Sequence, residues 1–291
     1  MQTIRWSALF VVLVGALAVG PCVAGEKVTV GRRAPANQQV VMDRIDHAIW
    51  DALLRRYVDD RGMVDYTAWK ANAADVEALD NYLATLSRAS LSQPTSRSGQ
   101  LAYWINAYNA TTIKGILREY PTSSIRNHTA KIFGYNIWDD LVLSVGDRTF
   151  SLNQMEHDVL RKMREPRIHF AIVCASIGCP KLMNRAYTAA QLDTQLAQST
   201  RDFFADPAKF RYNAGSGQMQ ISPILQWFGE DFGPGIRERL ASIAPYLPDD
   251  PSRALARGGT AQVSYLGYDW NLNDQATAPR TNPRTARATT R

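Results

Sequence analysis

Residues 141–163 read LVLSVGDRTFSLNQMEHDVLRKM, and the change of period inside this stretch decides the fold class. The first part alternates around Gly146-Asp147, the signal of a β-hairpin. From Ser151 the period becomes helical. Ser151 and Gln154 match a capping box, which starts a helix at Leu152. Leu152, Met155, Val159, Leu160 and Met163 form its buried stripe. Glu156 falls in the middle of that stripe and His157 at its edge. A carboxylate there must be paired, hydrogen-bonded or protonated. A structural ion pair with an arginine such as Arg167 is the simplest solution.

The same mixture extends in both directions. Upstream, VVMDRIDHAIWDALLRRYV and DVEALDNYLATLSRA carry apolar residues at helical spacing, and LAYWINAYNATTIKGILREYP makes a long helix that Pro121 stops. Downstream come an expected apolar strand, IHFAIVC, and the helix TAAQLDTQLAQSTRDFFA. A second hairpin, KFRYNAGSGQMQIS, turns around NAGSG, and Ser222-Pro223 starts a further helix. Helices outnumber strands and the hairpins pair antiparallel. The expectation is a single α+β domain over residues 39–274, mostly helical, with a small mixed or antiparallel sheet.

Two polar residues disturb the long helix. At 100° per residue, Leu101, Trp104, Ile105, Tyr108, Thr112 and Ile116 share one stripe. Asn109 lands inside it, and Asn106 lands near Ile113 and Leu117. A buried amide costs a few kcal/mol, roughly, unless it is hydrogen-bonded. Both therefore require partners from another element, either to fix the core or to serve a site.

Compartment sets the meaning of the cysteines. Arg5 precedes an apolar stretch at residues 8–19, and small residues come after it in CVAGEK. That is the layout of a signal peptide over residues 1–25. It is short of the roughly 20 residues of a transmembrane helix. Pro21 before Cys22 argues against lipidation. The expected location is exported, periplasmic or extracellular, where disulfides persist. A linker is expected at residues 26–38 and a disordered tail at 275–291. The formal charge of +6 falls to about +1 once Arg5 and the tail residues Arg280, Arg284, Arg287 and Arg291 are removed. No nucleic-acid face is implied. The tail's electrostatic reading is weak contact with an anionic cell surface, against that of a solvated end.

PRIHFAIVCASIGCP, residues 166–180, holds His169, Cys174 and Cys179. A strand running back along the preceding helix brings Cys174 close to that helix's first turn, with Glu156 and His157 about one turn away. His169 then faces away from Cys174 and is a core or supporting histidine, bonded to Glu156. Three readings of the cysteines stay open. They form a disulfide; Cys174 is a thiol nucleophile; or both bind zinc with a histidine, for which the spacing is not standard.

At this point four motifs become familiar: YWINAYNATTIKGIL, SLNQMEHDVLR, PRIHFAIVCASIGCP and YDWNLND. In this order the chain resembles the domain-of-unknown-function 547 family over residues 64–271. The resemblance implies a single α+β domain and carries no reaction with it.

The leading expectation is an exported thiol-dependent hydrolase or transferase acting on an acyl, peptide or amide bond. Cys174 is the nucleophile, His157 the base and Glu156 its orienter. Asn106 or Asn109 supplies an amide for orientation or an oxyanion. His169, Ser176 and Cys179 support them. The substrate is an unspecified small molecule or peptide, and neither a cofactor nor a metal is called for. The competing expectation is a non-catalytic exported binding or scaffold domain with a Cys174–Cys179 disulfide and a buried Asn/Glu network.

Overall fold

Helix-forming sequence dominates the first half of the chain, and the computed structural model, which describes residues 27–129, 134–213 and 215–277, agrees with it. The expected signal peptide, Cys22 and the four tail arginines lie outside the described residues. The chain enters through strand β1 (Val28–Val30) and continues through helices α1 (Ala48–Tyr57), α2 (Tyr66–Ala71) and α3 (Ala73–Leu86). The long helix is α4 (Arg97–Glu119). Ser96 caps its start by accepting the Gly99 N–H at 2.9 Å, and it ends at Tyr120, because the residue before a proline avoids helical angles.

After the short helix α5 (Ile137–Asp140) comes the first hairpin, β2 (Leu141–Val145) with β3 (Arg148–Ser151). Gly146 takes φ +59° in its turn, a left-handed angle that costs glycine little. β1 adds to β2 in parallel, giving a three-stranded mixed sheet. The expected linker thus contributes a strand over Val28–Val30, with Val30 buried. Its hydrogen-bonding and apolar groups match the open edge of the hairpin.

The chain then turns helical, as the capping box demands. Gln154 Oε1 accepts the Ser151 N–H at 3.0 Å, and Ser151 Oγ accepts the Gln154 N–H at 3.2 Å. Ser151→Ala is expected to cost about 1 kcal/mol in urea denaturation; no change would mean the cap is dispensable. Residues Gln154–Leu160 wind as a π-helix rather than an α-helix, and the Arg161 N–H reaches back five residues to the Glu156 carbonyl.

The expected strand IHFAIVC does not form. Pro166–Phe170 is a 3-10 helix, opened by the Glu165 carboxylate, which accepts the Arg167 N–H at 3.2 Å. The next residues run irregularly through the core. The second half comprises α6 (Leu192–Ala205), the hairpin β4 (Phe210–Asn213) and β5 (Gln218–Ile221), and helices α7 (Ile224–Trp227), α8 (Gly229–Phe232), α9 (Ile236–Ile243) and α10 (Asp250–Gly258). β6 (Gln262–Tyr265) pairs with β5 in parallel, closing a second three-stranded sheet.

The architecture is a single α+β domain with two small mixed sheets. Among the described residues there are two apolar cores. The larger gathers around α4 with Trp50, Trp69, Trp104 and Leu143, and the smaller contains Phe170, Phe203, Phe204, Ile221 and Leu240. Each such side chain contributes roughly 1.5–3 kcal/mol on burial. Tyr268 packs against both cores, and the polar residues of interest gather along the seam between them.

Candidate functional site

The asparagines of α4 hold the walls of the seam. Asn109 donates from Nδ2 to the Ala171 carbonyl at 3.0 Å and accepts the Val173 N–H on Oδ1 at 2.9 Å. Asn106 treats Tyr187 in the same way, at 2.8 and 3.0 Å. Each primary amide imitates a strand neighbour and satisfies one backbone carbonyl and one backbone N–H. This explains why residues 171–173 can be buried without a β-ladder. Both side chains meet partners from other elements, as their burial requires. Their amide groups are engaged with the backbone, away from the sulfurs.

Glu156 lies deeper. It is 8% exposed, and it accepts the Tyr108 hydroxyl at 3.3 Å. Arg167 is not its partner, because that guanidinium is engaged by Glu165 and Asp193. Burial pushes the Glu156 carboxyl up to about 7, and the Tyr108 hydrogen bond and Arg161 only partly oppose it. The π-turn matters here. Five residues at 100° each set Glu156 and Arg161 about 140° apart, whereas the wider turn brings them toward one face.

Arg161 is the hub of the next group. It grips Asp231 with Nε at 2.7 Å and Nη2 at 3.0 Å, and it also pairs with Glu230. Asp231 Oδ2 accepts a third hydrogen bond from His169 Nε2 at 2.6 Å. Partial burial raises the Asp231 carboxyl, but the hydrogen bonds from His169 and Arg161 prevail and bring it down to about 2. His169 is held below its ordinary value by burial, which outweighs Asp231. At neutral pH the pair is therefore a neutral imidazole donating to a carboxylate. His169 is the expected core histidine, but its partner is Asp231 and not Glu156. The Phe228 ring stacks on it with centroids 4.3 Å apart.

His157 lies at the exposed edge of this group. Its Nδ1 accepts from Arg161 Nη1 at 3.1 Å. Among the described residues neither imidazole is hydrogen-bonded to Cys174.

Cys174 and Cys179 are joined as a disulfide. Neither sulfur is a nucleophile in this state. The loop they close is pinned to the C-terminal segment: Ile177 N–H reaches Asn271 O at 2.8 Å, Gly178 N–H reaches Asp269 O at 2.7 Å, and Asn273 N–H reaches Ala175 O at 3.0 Å. A side chain at Gly178 would meet the Asp269 backbone at 2.9 Å. Inside the loop Ala175 has φ +58°, a left-handed conformation that costs a non-glycine residue about 1–2 kcal/mol and concentrates at functional sites. Cys174 Sγ lies 3.2 Å from Ser176 Oγ and 3.4 Å from the Tyr268 hydroxyl. Burial pushes that phenol up to about 12, so it remains a donor.

Above the disulfide the seam opens on three aromatic rings. Tyr268 and Trp270 have centroids 4.6 Å apart, and Trp227 lies 4.9 Å from Tyr268 and 5.9 Å from Trp270. Trp227 is 47% exposed, and Arg126 sits over the Trp270 ring at 5.2 Å. A cavity of about 610 Å³ flanks Arg161 and Asp231, lined also by Arg164, Glu165 and Glu230. A second, of about 630 Å³ between Asp59 and α6, contains none of the expected site residues. Among the described residues no group of three or more His, Cys, Asp or Glu is placed to hold a metal ion. No helix among them is long and apolar enough to cross a membrane.

Of the expected residues, the seam collects Glu156, His169, Cys174, Ser176 and Cys179. It leaves His157 at the surface and uses Asn106 and Asn109 as clamps. Sequence reasoning missed Tyr108, Arg161, Asp231, Tyr268, Trp227 and Trp270. Tyr108, Arg161, Tyr268 and Trp270 lie within YWINAYNATTIKGIL, SLNQMEHDVLR and YDWNLND, whereas Trp227 and Asp231 lie in none of the four motifs.

A family model described as Protein of unknown function, DUF547, matches residues 92–204. The resemblance to that family is thus supported by a match that contains the first three motifs and stops short of YDWNLND. No curated protein and no solved structure matches the chain.

Proposed function

We propose that the chain is an exported binding domain whose ligand surface is the aromatic mouth of the seam. One observation carries this reading: Trp227, Tyr268 and Trp270 present a continuous aromatic surface, partly open to solvent, beside a strained loop. Ring faces of this kind, with polar rims, suit extended peptides, above all proline-rich ones. The spent amides of Asn106 and Asn109 and the closed disulfide support binding over acyl chemistry. The test is selection from a displayed library of random linear peptides. The protein should enrich sequences rich in proline or aromatic residues, and Trp227→Ala should weaken them about tenfold or more. Equal enrichment by Trp227→Ala would remove the aromatic mouth from the account.

The thiol-dependent hydrolase or transferase is the second reading. It is favoured by the half-burial of Cys174 and by the two hydroxyls that touch its sulfur. It requires the disulfide to be opened and a base other than the outlying His157. Ester or peptide hydrolysis that appears on mild reduction and vanishes in Cys174→Ser would establish it. Reduced protein without such turnover would count against it.

A further inference from the structure

The two sulfurs of the disulfide differ in their surroundings. Cys174 is half-buried, while Cys179 is 5% exposed. Cys179 Sγ accepts the Cys174 N–H at 3.0 Å and the Tyr268 hydroxyl at 3.2 Å. Ser176 Oγ donates to the Tyr268 oxygen at 3.3 Å, which completes a short chain of donors ending on that sulfur. Hydrogen bonds of this type stabilise a thiolate far more than a disulfide sulfur. The Ser176 and Tyr268 hydroxyls also lie 3.2 and 3.4 Å from Cys174 Sγ. The sulfurs are therefore told apart by exposure and by the Cys174 N–H, which is given to Cys179. Cys174 is the more open to attack and Cys179 the better prepared to leave. The bond is built as an electrophile, the opposite of the nucleophilic role that the sequence suggested for Cys174.

We propose that the Cys174–Cys179 disulfide undergoes thiol–disulfide exchange with a dithiol presented at the aromatic mouth, an activity beyond binding. A substrate thiolate attacks Cys174 Sγ. A mixed disulfide forms, the Cys174–Cys179 bond breaks, and its electron pair leaves on Cys179. The substrate's second thiolate then attacks its own linked sulfur, closes the substrate disulfide and expels Cys174. Two electrons pass to the protein, and the two protons of the substrate thiols end on Cys174 and Cys179. The spacing C-A-S-I-G-C is not that of the familiar redox pair. Here one donor, the Tyr268 hydroxyl, comes from the C-terminal segment, while the Cys174 N–H and Ser176 Oγ belong to the cysteine motif itself.

The experiment treats oxidised protein with dithiothreitol in native buffer, reading free thiols and near-ultraviolet circular dichroism together. The pair should open fully while the native dichroism persists, and a dithiol peptide should be oxidised at one equivalent per protein. Tyr268→Phe removes the side-chain donor to the leaving group and should slow opening about tenfold. Ser176→Ala, which removes the second link of the chain, should slow it a few-fold, roughly, and serves if Tyr268→Phe does not fold. A disulfide that opens only in denaturant would overturn the proposal, and so would wild-type rates in both variants. These readouts need no peptide bound at the aromatic mouth, so exchange and peptide binding can fail independently.

Discussion

Asn109→Leu is expected to destabilise the domain by about 3–4 kcal/mol, the largest effect of any single substitution considered. The leucine fits an apolar stripe and adds buried hydrocarbon. It also strips the Ala171 carbonyl and the Val173 N–H of their partner amide, which supplies both bonds. Each buried orphan costs about 1–3 kcal/mol, and neither can reach water without moving the adjoining disulfide loop. Asn109→Asp keeps the acceptor and loses the donor, so its effect should be intermediate. Urea denaturation measures all three proteins. A loss under about 1 kcal/mol for Asn109→Leu would show that residues 171–173 find other partners.

The second large effect is a dependence on pH. Glu156 moves from its ordinary 4.5 to about 7 because burial disfavours its charge. The folded state therefore holds this proton more tightly than the unfolded chain. Its contribution is fully present below about 4.5 and is lost as pH rises through about 7, amounting to about 3 kcal/mol. His47 works the other way: burial lowers it to about 4, so its contribution is lost as pH falls from 6.5. His157 and His169 are also lowered by burial. The clean readout is therefore the difference between Glu156→Gln and the unaltered protein. Glutamine keeps an acceptor for Tyr108 and cannot ionise. The variant should gain about 3 kcal/mol relative to wild type between pH 4 and pH 8. A difference that does not change with pH would mean that Glu156 is already ionised in the fold.

The parts of this structure written in local chemistry were legible. Gly146-Asp147 set a hairpin, Pro121 closed α4, and Ser151 with Gln154 capped a helix, each through contacts within a few residues. The burial of Asn106, Asn109 and Glu156 was legible too, since a helical wheel needs only spacing. Apart from the π-turn, the failures needed distant information. IHFAIVC looks like a strand because an apolar run does not reveal which groups will satisfy its backbone. Here an asparagine side chain 62 residues upstream takes the Ala171 carbonyl. The π-turn shifted Arg161 to a face that 100° steps do not assign it. Asp231 meets His169 across 62 residues and Tyr268 meets Cys174 across 94. The seam exists only where the two cores meet.

The most direct measurement is peptide mapping of the purified protein, alkylated under denaturing conditions without reductant. A cross-linked Cys174–Cys179 peptide is expected, with no alkylated cysteine at either position. Both positions should become alkylated once reductant is added. Free, alkylated Cys174 in the unreduced sample would contradict the disulfide, returning the loop to the chemistry of a thiol nucleophile.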